Sequence, residues 1–235
     1  MIVTPRFVFL HLHKSGGTFV NRFIEQFFTE ATRVGYHLPI AQLPEQFRGL
    51  PVLGTVRNPW DYYVSWHAFQ SQKPRRNVFY RVASENGKLG FNDTIRNLVM
   101  LSDQPHRLEE IRRELPDAFQ AHGINLTKRC LDPLAGSGSG FYQFLYQRMF
   151  GVAPVNTTLL RMDRLRDTLP GFLRQLGVEP NAAMLDWIAQ TPALNASTHA
   201  HYSTYYDADL AKLIARRDAE VIDRHGFRFE GADDS

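Results

Sequence analysis

The chain has 235 residues, 43% of them hydrophobic, so it can bury a full core, and we predict a single domain over residues 1–235. Its 27 basic and 24 acidic residues are interleaved and leave a net charge of +3, which argues against a nucleic-acid-binding protein and favours a small anionic ligand. The single cysteine, Cys130, excludes an internal disulfide, and no apolar run reaches the roughly 18 residues of a membrane span, so a cytoplasmic protein is expected.

The first predicted elements are a strand, a glycine turn and a helix. Residues 6–12, RFVFLHL, form a short apolar run between Pro5 and a glycine pair, which is typical of a buried strand. From Gly17 a helix is predicted, with an apolar stripe made of Phe19, Val20, Phe23, Ile24, Phe27 and Phe28. This order of elements indicates the start of an α/β fold.

Two further strands are predicted at residues 31–39 and 50–56, and the second repeats the order of strand, turn and helix. Arg57 directly follows that strand. The next residues carry the start signals of a helix, namely Asn58 as the N-cap, Pro59 at the first helical position and Asp61 in the first turn. Arg57 is therefore expected where the carboxyl end of a strand meets the amino end of a helix.

Residues 67–150 contain no clear strand pattern, and we interpret them as a helical insertion. Helices are predicted at 91–101 and 106–115, and a third follows the glycine-rich segment 134–140. That segment follows no strand, so we interpret it as a turn before a helix and not as a second nucleotide loop. The basic stretch KPRR, at 73–76, is interpreted as a solvated loop, with binding of an acidic acceptor as the alternative.

The chain returns to a strand at 155–165, which is followed by a helix at 169–178. The last helix is predicted from Tyr206 to Arg224, with Gly226 as its stop. These elements predict an α/β protein with a P-loop-like three-layer fold, in which helices flank a central, mainly parallel sheet and a helical insertion is added.

The turn HKSGGT contains the groups that bind a multiply charged phosphate. It has backbone N–H groups at Gly16 and Gly17, a helix amino end, a hydroxyl and the lysine Lys14. A nucleoside-triphosphate loop would read GxxxxGK[ST], but here the lysine precedes the glycines. Such an enzyme also uses a strand-end Asp for its metal ion, where this sequence has Arg57. The two motifs therefore predict an anion site without a metal.

Ser65 adds a hydroxyl to the second motif. It follows Asn58 by seven residues, about two helical turns, so its side chain is expected on the same helix face as the Arg57 end. Arg57 and Ser65 could then clamp one phosphate while the glycine turn holds another.

At these residues the sequence resembles a known enzyme family. HLHKSGGT resembles the H-x-x-K-[ST]-G-G-T phosphosulfate loop of the sulfotransferases that use 3′-phosphoadenosine 5′-phosphosulfate (PAPS), and RNPWDYYVS resembles their R-x-P…S element. The motifs occur in the family's order, and the resemblance is closest to the carbohydrate-type branch. It extends weakly to residues 194–210 and 225–229, which resemble the closing segment of that branch.

The resemblance implies PAPS as cofactor, 3′-phosphoadenosine 5′-phosphate (PAP) as its product, and a hydroxyl of a carbohydrate or other small molecule as acceptor. Lys14 would neutralise charge on the bridging and leaving oxygens. The 5′-phosphate would be held by Ser15, Gly16, Gly17 and Thr18, and the 3′-phosphate by Arg57 and Ser65. Residues 67–150 match no part of the family and are expected to bind the acceptor.

A general base must take the proton of the acceptor hydroxyl, and a histidine with a pKa of about 6.5 suits this task. We predict His37, which is expected to end the second strand at the sheet edge that carries both phosphate motifs. In the resembling branch a histidine in a comparable place often acts as the base. Glu45, His11 and His13 stay open as alternatives, and a structural role stays open for His37; His11 is expected to be packed in the core.

Polar residues near the carboxyl terminus are less specific. His199 and His201 lie in a Ser/Thr-rich segment and could contact the cofactor, but they lack an acidic partner at metal-ligand spacing. Asn195, Ser197 and Tyr202 are expected to form a lid over the cofactor.

Two alternative functions remain. The first is a P-loop kinase that uses Mg²⁺ and ATP, for which Asp163 is the only candidate metal ligand near a strand end. The second is a nucleotide-binding protein without catalysis, which predicts a basic stripe with aromatic stacking positions.

Overall fold

The computed structural model describes residues 1–121, 123–153, 155–192 and 199–230, and these contain a five-stranded sheet. The strands are β1 (Ile2–Val3), β2 (Val8–Leu10), β3 (Thr32–Arg33), β4 (Val52–Val56) and β5 (Thr157–Arg161). Their spatial order is β3-β1-β2-β4-β5. β2, β4 and β5 pair in parallel, whereas β1 is antiparallel to both β2 and β3. All strands except β1 therefore point the same way, which confirms the predicted mainly parallel sheet.

Helices follow β2, β4 and β5, and several fill the long segment between β4 and β5. They are α1 (Gly17–Phe27), α2 (Pro59–Ser71), α3 (Val78–Ala83), α4 (Phe91–Val99), α5 (Pro105–Glu114), α6 (Phe141–Phe150), α7 (Leu165–Gln175), α8 (Ala182–Gln190), α9 (Ala208–Arg217) and α10 (Ala219–His225). Within the described residues, none of these helices is both long enough and apolar enough to cross a bilayer.

The chain forms two compact units. The first contains the described residues of Met1–Arg57, Gln120–Asn125 and Arg148–Ala196, and the second contains those of Asn58–Phe119, Leu126–Gln147 and Ser197–Ser235. The sheet, α1, α7 and α8 belong to the first unit, and α2–α5, α9 and α10 belong to the second. Between residues 67 and 150 the described part of the chain contains helices and turns but no strand.

One face of the sheet is covered by α1, α7 and α8. The apolar cluster between them includes Phe9, Leu53 and Leu160 from the sheet, and Phe23 and Phe172 from the helices, all almost completely buried. On the opposite face Gly54 leaves room for the Phe150 ring, because a Cβ at Gly54 would stand 2.3 Å from Phe150 Cε1. This packing holds β2 and β4 in place, and the candidate site lies at the carboxyl ends of these strands.

Two predicted elements differ from the structure. The strand expected at 31–39 is limited to Thr32–Arg33, because these exposed residues pair only with the two-residue β1 and His37 has a left-handed φ of 49° that cannot continue a strand. The last helix is divided into α9 and α10 at Asp218, whose backbone (φ −109°, ψ 22°) leaves the helical region. The predicted stop is confirmed, since Gly226 caps α10 with a left-handed φ of 61°.

Candidate functional site

The turn between β2 and α1 exposes the amino end of a helix. Lys14 and Gly16 both have left-handed backbones, with φ of 58° and 82°, and Gly16 occupies the N-cap position of α1. The N-cap supplies no side-chain hydrogen bond, and the first turn of α1 contains no acidic residue. The positive end of this helix is therefore not offset by a carboxylate of its own first turn.

Both glycines of this turn are required by their surroundings. A Cβ at Gly17 would lie 2.0 Å from His11 Cδ2, so the buried imidazole of His11 packs directly on the first helical residue. Gly16 has a positive φ, and a Cβ there would lie 2.8 Å from Met162 Cγ. The pair allows β2, α1 and the segment after β5 to approach closely.

Arg57 meets this turn from the neighbouring strand. β2 and β4 are parallel, with Leu10 opposite Gly54, so both strands end at the same edge of the sheet. The Arg57 side chain donates a hydrogen bond from Nη1 to Lys14 O over 3.2 Å. The two strand-ending turns that the sequence singled out are thus in direct contact within the first unit.

Ser65 lies in the second unit, as the seventh residue of α2. The helix starts as the sequence predicts: Pro59 is its first residue, Asp61 is in its first turn, and Asn58 Oδ1 accepts a hydrogen bond from Trp60 N at 3.1 Å. The Ser65 side chain is 1% exposed. Its joint action with Arg57 stays a prediction.

Three histidines and Tyr36 form a cluster in the first unit. The ring of His37 lies 4.4 Å from that of His11 and 5.5 Å from that of His13, measured between centroids. His37 Nδ1 is 2.6 Å from His11 O, and because a carbonyl can only accept, Nδ1 carries the proton and Nε2 is left as the basic nitrogen. His37 was expected to end the second predicted strand, but it lies four residues beyond the end of β3.

Burial disfavours the charged forms of His37 and His11. It lowers the pKa of His37 to about 4, although the hydrogen bond to the His11 carbonyl acts in the opposite direction. Burial and the neighbouring His37 hold the pKa of His11 well below its usual value. His11 is 6% exposed, and its Nδ1 accepts a hydrogen bond from Asn21 Nδ2 at 3.1 Å, as suits a packed core residue.

The remaining candidate base, Glu45, has a different environment. Its carboxylate forms an exposed ion pair with Arg48 at 2.6 Å, and 78% of its side chain is accessible. This group has no connection to the histidine cluster among the contacts of the described residues.

Asn125 and Arg148 support the His37 segment, and sequence reasoning missed both. Asn125 Nδ2 donates to Tyr36 O at 2.7 Å, and its Oδ1 accepts from Gln120 N at 2.8 Å. Arg148 Nη2 donates in turn to Asn125 O at 2.6 Å. The sequence gives little signal for these contacts, because they join residues that are far apart in the chain.

This fold has a counterpart among known protein structures. No protein-family model and no curated protein matches the sequence. The structure is similar to the crystal structure of mouse sulfotransferase SULT7A1 complexed with PAP, with a TM-score of 0.54 and 12% identity over 95% of this chain and 88% of that chain. The chain has the sulfotransferase fold.

The carboxyl-terminal segment of this sulfotransferase fold contacts the start of α2 within the second unit. Tyr202 is 6% exposed, and its hydroxyl accepts hydrogen bonds from Glu230 N at 3.0 Å and from Asn58 Nδ2 at 3.4 Å. His201 Nδ1 is 2.9 Å from Ser203 Oγ. Asn195 and Ser197, the other predicted lid residues, lie outside the described residues.

In the parts of the chain that the structure describes, no group of three or more His, Cys, Asp or Glu side chains is arranged to hold a metal ion. Asp163, the candidate ligand in the kinase hypothesis, accepts hydrogen bonds from Arg161 at both carboxylate oxygens.

Proposed function

We propose that this protein is a PAPS-dependent sulfotransferase acting on a hydroxyl group of a small-molecule acceptor. The observation that carries the proposal is the hydrogen bond from Arg57 Nη1 to Lys14 O, because it joins both phosphate motifs at one sheet edge. The shared fold supports the proposal, and the mouse protein with that fold is complexed with PAP, the product of PAPS.

The residues of the first unit fit an anionic nucleotide. The amino end of α1 carries no carboxylate in its first turn, and Lys14 adds a positive charge beside it. We assign binding of the 5′-phosphate to Ser15, Gly16, Gly17 and Thr18, and binding of the 3′-phosphate to Arg57 and Ser65. This second phosphate is what separates the ligand from ATP.

When bound, PAPS would supply a sulfuryl group to the acceptor oxygen, with the 5′-phosphate as the leaving group. The protein contributes positioning and charge stabilisation. Lys14 neutralises the charge that develops on the leaving phosphate. His37 takes the acceptor proton at Nε2, since its Nδ1 is engaged by the His11 carbonyl. Burial lowers the pKa of His37 to about 4, so this nitrogen is unprotonated at neutral pH, and it is a weaker base than an exposed histidine.

The acceptor class follows from the resemblance of the motifs to the carbohydrate-type branch. We assign acceptor binding to residues 67–150 and name a sugar hydroxyl as the first acceptor to test. A sulfate ester formed on a sugar from a panel of neutral and acidic saccharides would support this assignment, whereas transfer to phenols alone would contradict the carbohydrate branch and leave the sulfotransferase reaction intact.

Thermal denaturation with different nucleotides tests the cofactor. A ligand that binds only the folded protein stabilises it by about 2.7 kcal/mol at 100 times its Kd. We expect PAP to raise the Tm without any metal ion, and ATP to have a much smaller effect with or without Mg²⁺. Stabilisation by ATP only when Mg²⁺ is present would favour the kinase instead. Stabilisation by PAP with no transfer from PAPS to any acceptor would favour a non-catalytic nucleotide-binding protein.

A further inference from the structure

The end of β5 places another cation at the sheet edge of the candidate site. Arg161 is the last residue of β5 and lies opposite Val56, the residue before Arg57. Because β2, β4 and β5 are parallel neighbours, their carboxyl ends lead in order to Lys14, Arg57 and Arg161. The sheet thus brings three positively charged residues to one edge. Lys14 and Arg57 belong to the two phosphate motifs, and Arg161 belongs to neither.

The residue after Arg161 touches the glycine turn itself. Met162 packs on Gly16, since a Cβ at that glycine would lie 2.8 Å from Met162 Cγ. Leu165 Cδ2 lies 3.7 Å from the same point. The segment that follows β5 therefore packs against the turn that contains Lys14. Arg161 directly precedes Met162, the residue that contacts this turn.

The Arg161 guanidinium is engaged by a carboxylate in the geometry that a phosphate would use. Its Nε donates to Asp163 Oδ1 at 3.1 Å and its Nη2 donates to Asp163 Oδ2 at 2.6 Å. Guanidinium groups bind carboxylates and phosphates through the same pair of parallel hydrogen bonds. The side chains are 28% and 53% exposed, and such an exposed ion pair contributes only about 0–1 kcal/mol. A multiply charged phosphate can therefore replace the carboxylate.

We propose that Arg161 is a third phosphate-binding cation of this site, and that Asp163 holds its guanidinium until the nucleotide binds. The proposal rests on the proposed function and adds to it a residue that neither phosphate motif contains. The hydrogen bond from Arg161 lowers the pKa of Asp163, as expected for a carboxylate kept ionised by this partner.

The test is the affinity for PAP, measured by calorimetry without metal ions on the full chain. Arg161→Gln is expected to weaken binding about tenfold or more, as befits a lost charge-assisted hydrogen bond. The matched control is Arg174→Gln, which also breaks an exposed Arg–carboxylate pair, with Glu179 at 3.0 Å, but lies near the far end of α7. The control is expected to bind PAP as the wild type does.

Asp163→Asn provides a signal in the opposite direction, which misfolding cannot produce. Removing the negative charge beside Arg161 is expected to tighten PAP binding about three- to fivefold. In a double variant that combines Asp163→Asn with Arg161→Gln, this gain in PAP affinity should disappear, because it acts through Arg161. Repeating the titrations with adenosine 5′-monophosphate and adenosine 3′-monophosphate identifies which phosphate Arg161 contacts, by the ligand whose affinity falls.

The outcomes separate the two proposals. If the wild type binds PAP but Arg161→Gln binds it as tightly as Arg174→Gln, the role of Arg161 is refuted and the proposed function stands. If Asp163→Asn weakens PAP binding, the restraining role of Asp163 is refuted. If the wild type does not bind PAP at all, both the proposed function and this inference are wrong.

Discussion

Gly17 must be a glycine because of a tertiary contact with His11, which the sequence alone does not reveal. The motif alone assigns its glycine to phosphate binding. In the structure the position is also closed by His11, whose ring carbon Cδ2 would stand 2.0 Å from a new Cβ. The same residue is thus constrained by packing below the turn, independently of any ligand above it.

We predict that Gly17→Ala destabilises the fold by about 1–3 kcal/mol, the usual cost of overpacking a rigid site. The control is Gly171→Ala in α7, where no atom lies within 4 Å of the added Cβ and helix propensity favours alanine by up to about 1 kcal/mol. Urea unfolding of both variants measures the difference. Equal stability of the two variants would show that His11 moves aside at little cost.

The candidate base gives a second prediction at this scale. His37→Ala is expected to lower kcat by about 100- to 10,000-fold, the range typical of general bases, while PAP affinity changes little. Glu45→Ala is the control, since that carboxylate is exposed and paired with Arg48, and its kcat should be unchanged. Rates are compared with the acceptor that gives the highest wild-type turnover. A large loss in Glu45→Ala with normal turnover in His37→Ala would reverse the assignment.

Residues that act through tertiary contacts were beyond the reach of sequence reasoning. Lys14 and Arg57 could be found because each follows an apolar run and precedes a helix-start signal. Asn125 supports Tyr36 from 89 positions away, and nothing in its local sequence marks it. Arg161 has no motif either, and it becomes visible only through the strand register that aligns it with Val56.

At the scale of elements, prediction succeeded where hydrophobic periodicity was long and bounded. α1 starts at Gly17 as predicted, and β4 and the Asn58 cap of α2 also agree with the structure. β1 was not predicted, because two residues are too few to form a pattern and its pairing partners come from elsewhere in the chain. Its absence from the prediction did not change the candidate residues, since none of them lies on β1.

The division between α9 and α10 has a tertiary cause as well. The apolar positions from Leu210 to Ile222 keep helical spacing, which predicts one continuous helix. The helix is interrupted at Asp218, which is fully buried. Its carboxylate accepts hydrogen bonds from the Tyr63 hydroxyl and from Gln143 N, both at 2.8 Å. These partners belong to α2 and α6, so the break could not be inferred from the local pattern.

At the scale of the whole molecule, buried titratable groups in each unit act on stability in opposite directions. In the first unit His37 has a pKa lowered to about 4, so its contribution is full above the unfolded value of 6.5 and is lost as the pH falls towards 4. His11 acts in the same sense. In the second unit burial raises the pKa of Asp218 from 3.8 to about 7, so its contribution is lost as the pH rises from 3.8 through 7.

Together with the Met1 amine, whose pKa burial lowers from 8.0 to about 5, these shifts predict that stability rises from pH 4 to about pH 8. Between pH 5 and 6.5 the two histidines and the Met1 amine outweigh one carboxyl group, so the free energy of unfolding rises by more than about 1.4 kcal/mol per pH unit, the slope for one net proton. Above pH 7 Asp218 loses its proton in the folded protein too, and the Met1 amine alone continues the rise towards pH 8. Urea unfolding from pH 5 to 8 measures the curve.

Two variants locate the source of this curve. Asp218→Asn should steepen the rise below pH 7, because a group that ionises only in the unfolded chain over this range is gone. Asp209→Asn, which changes an exposed carboxylate in the first turn of α9, should leave this slope unchanged. The same slope below pH 7 in Asp218→Asn as in the wild type would show that Asp218 is ionised in the folded protein and that its hydrogen bonds from Tyr63 and Gln143 outweigh its burial.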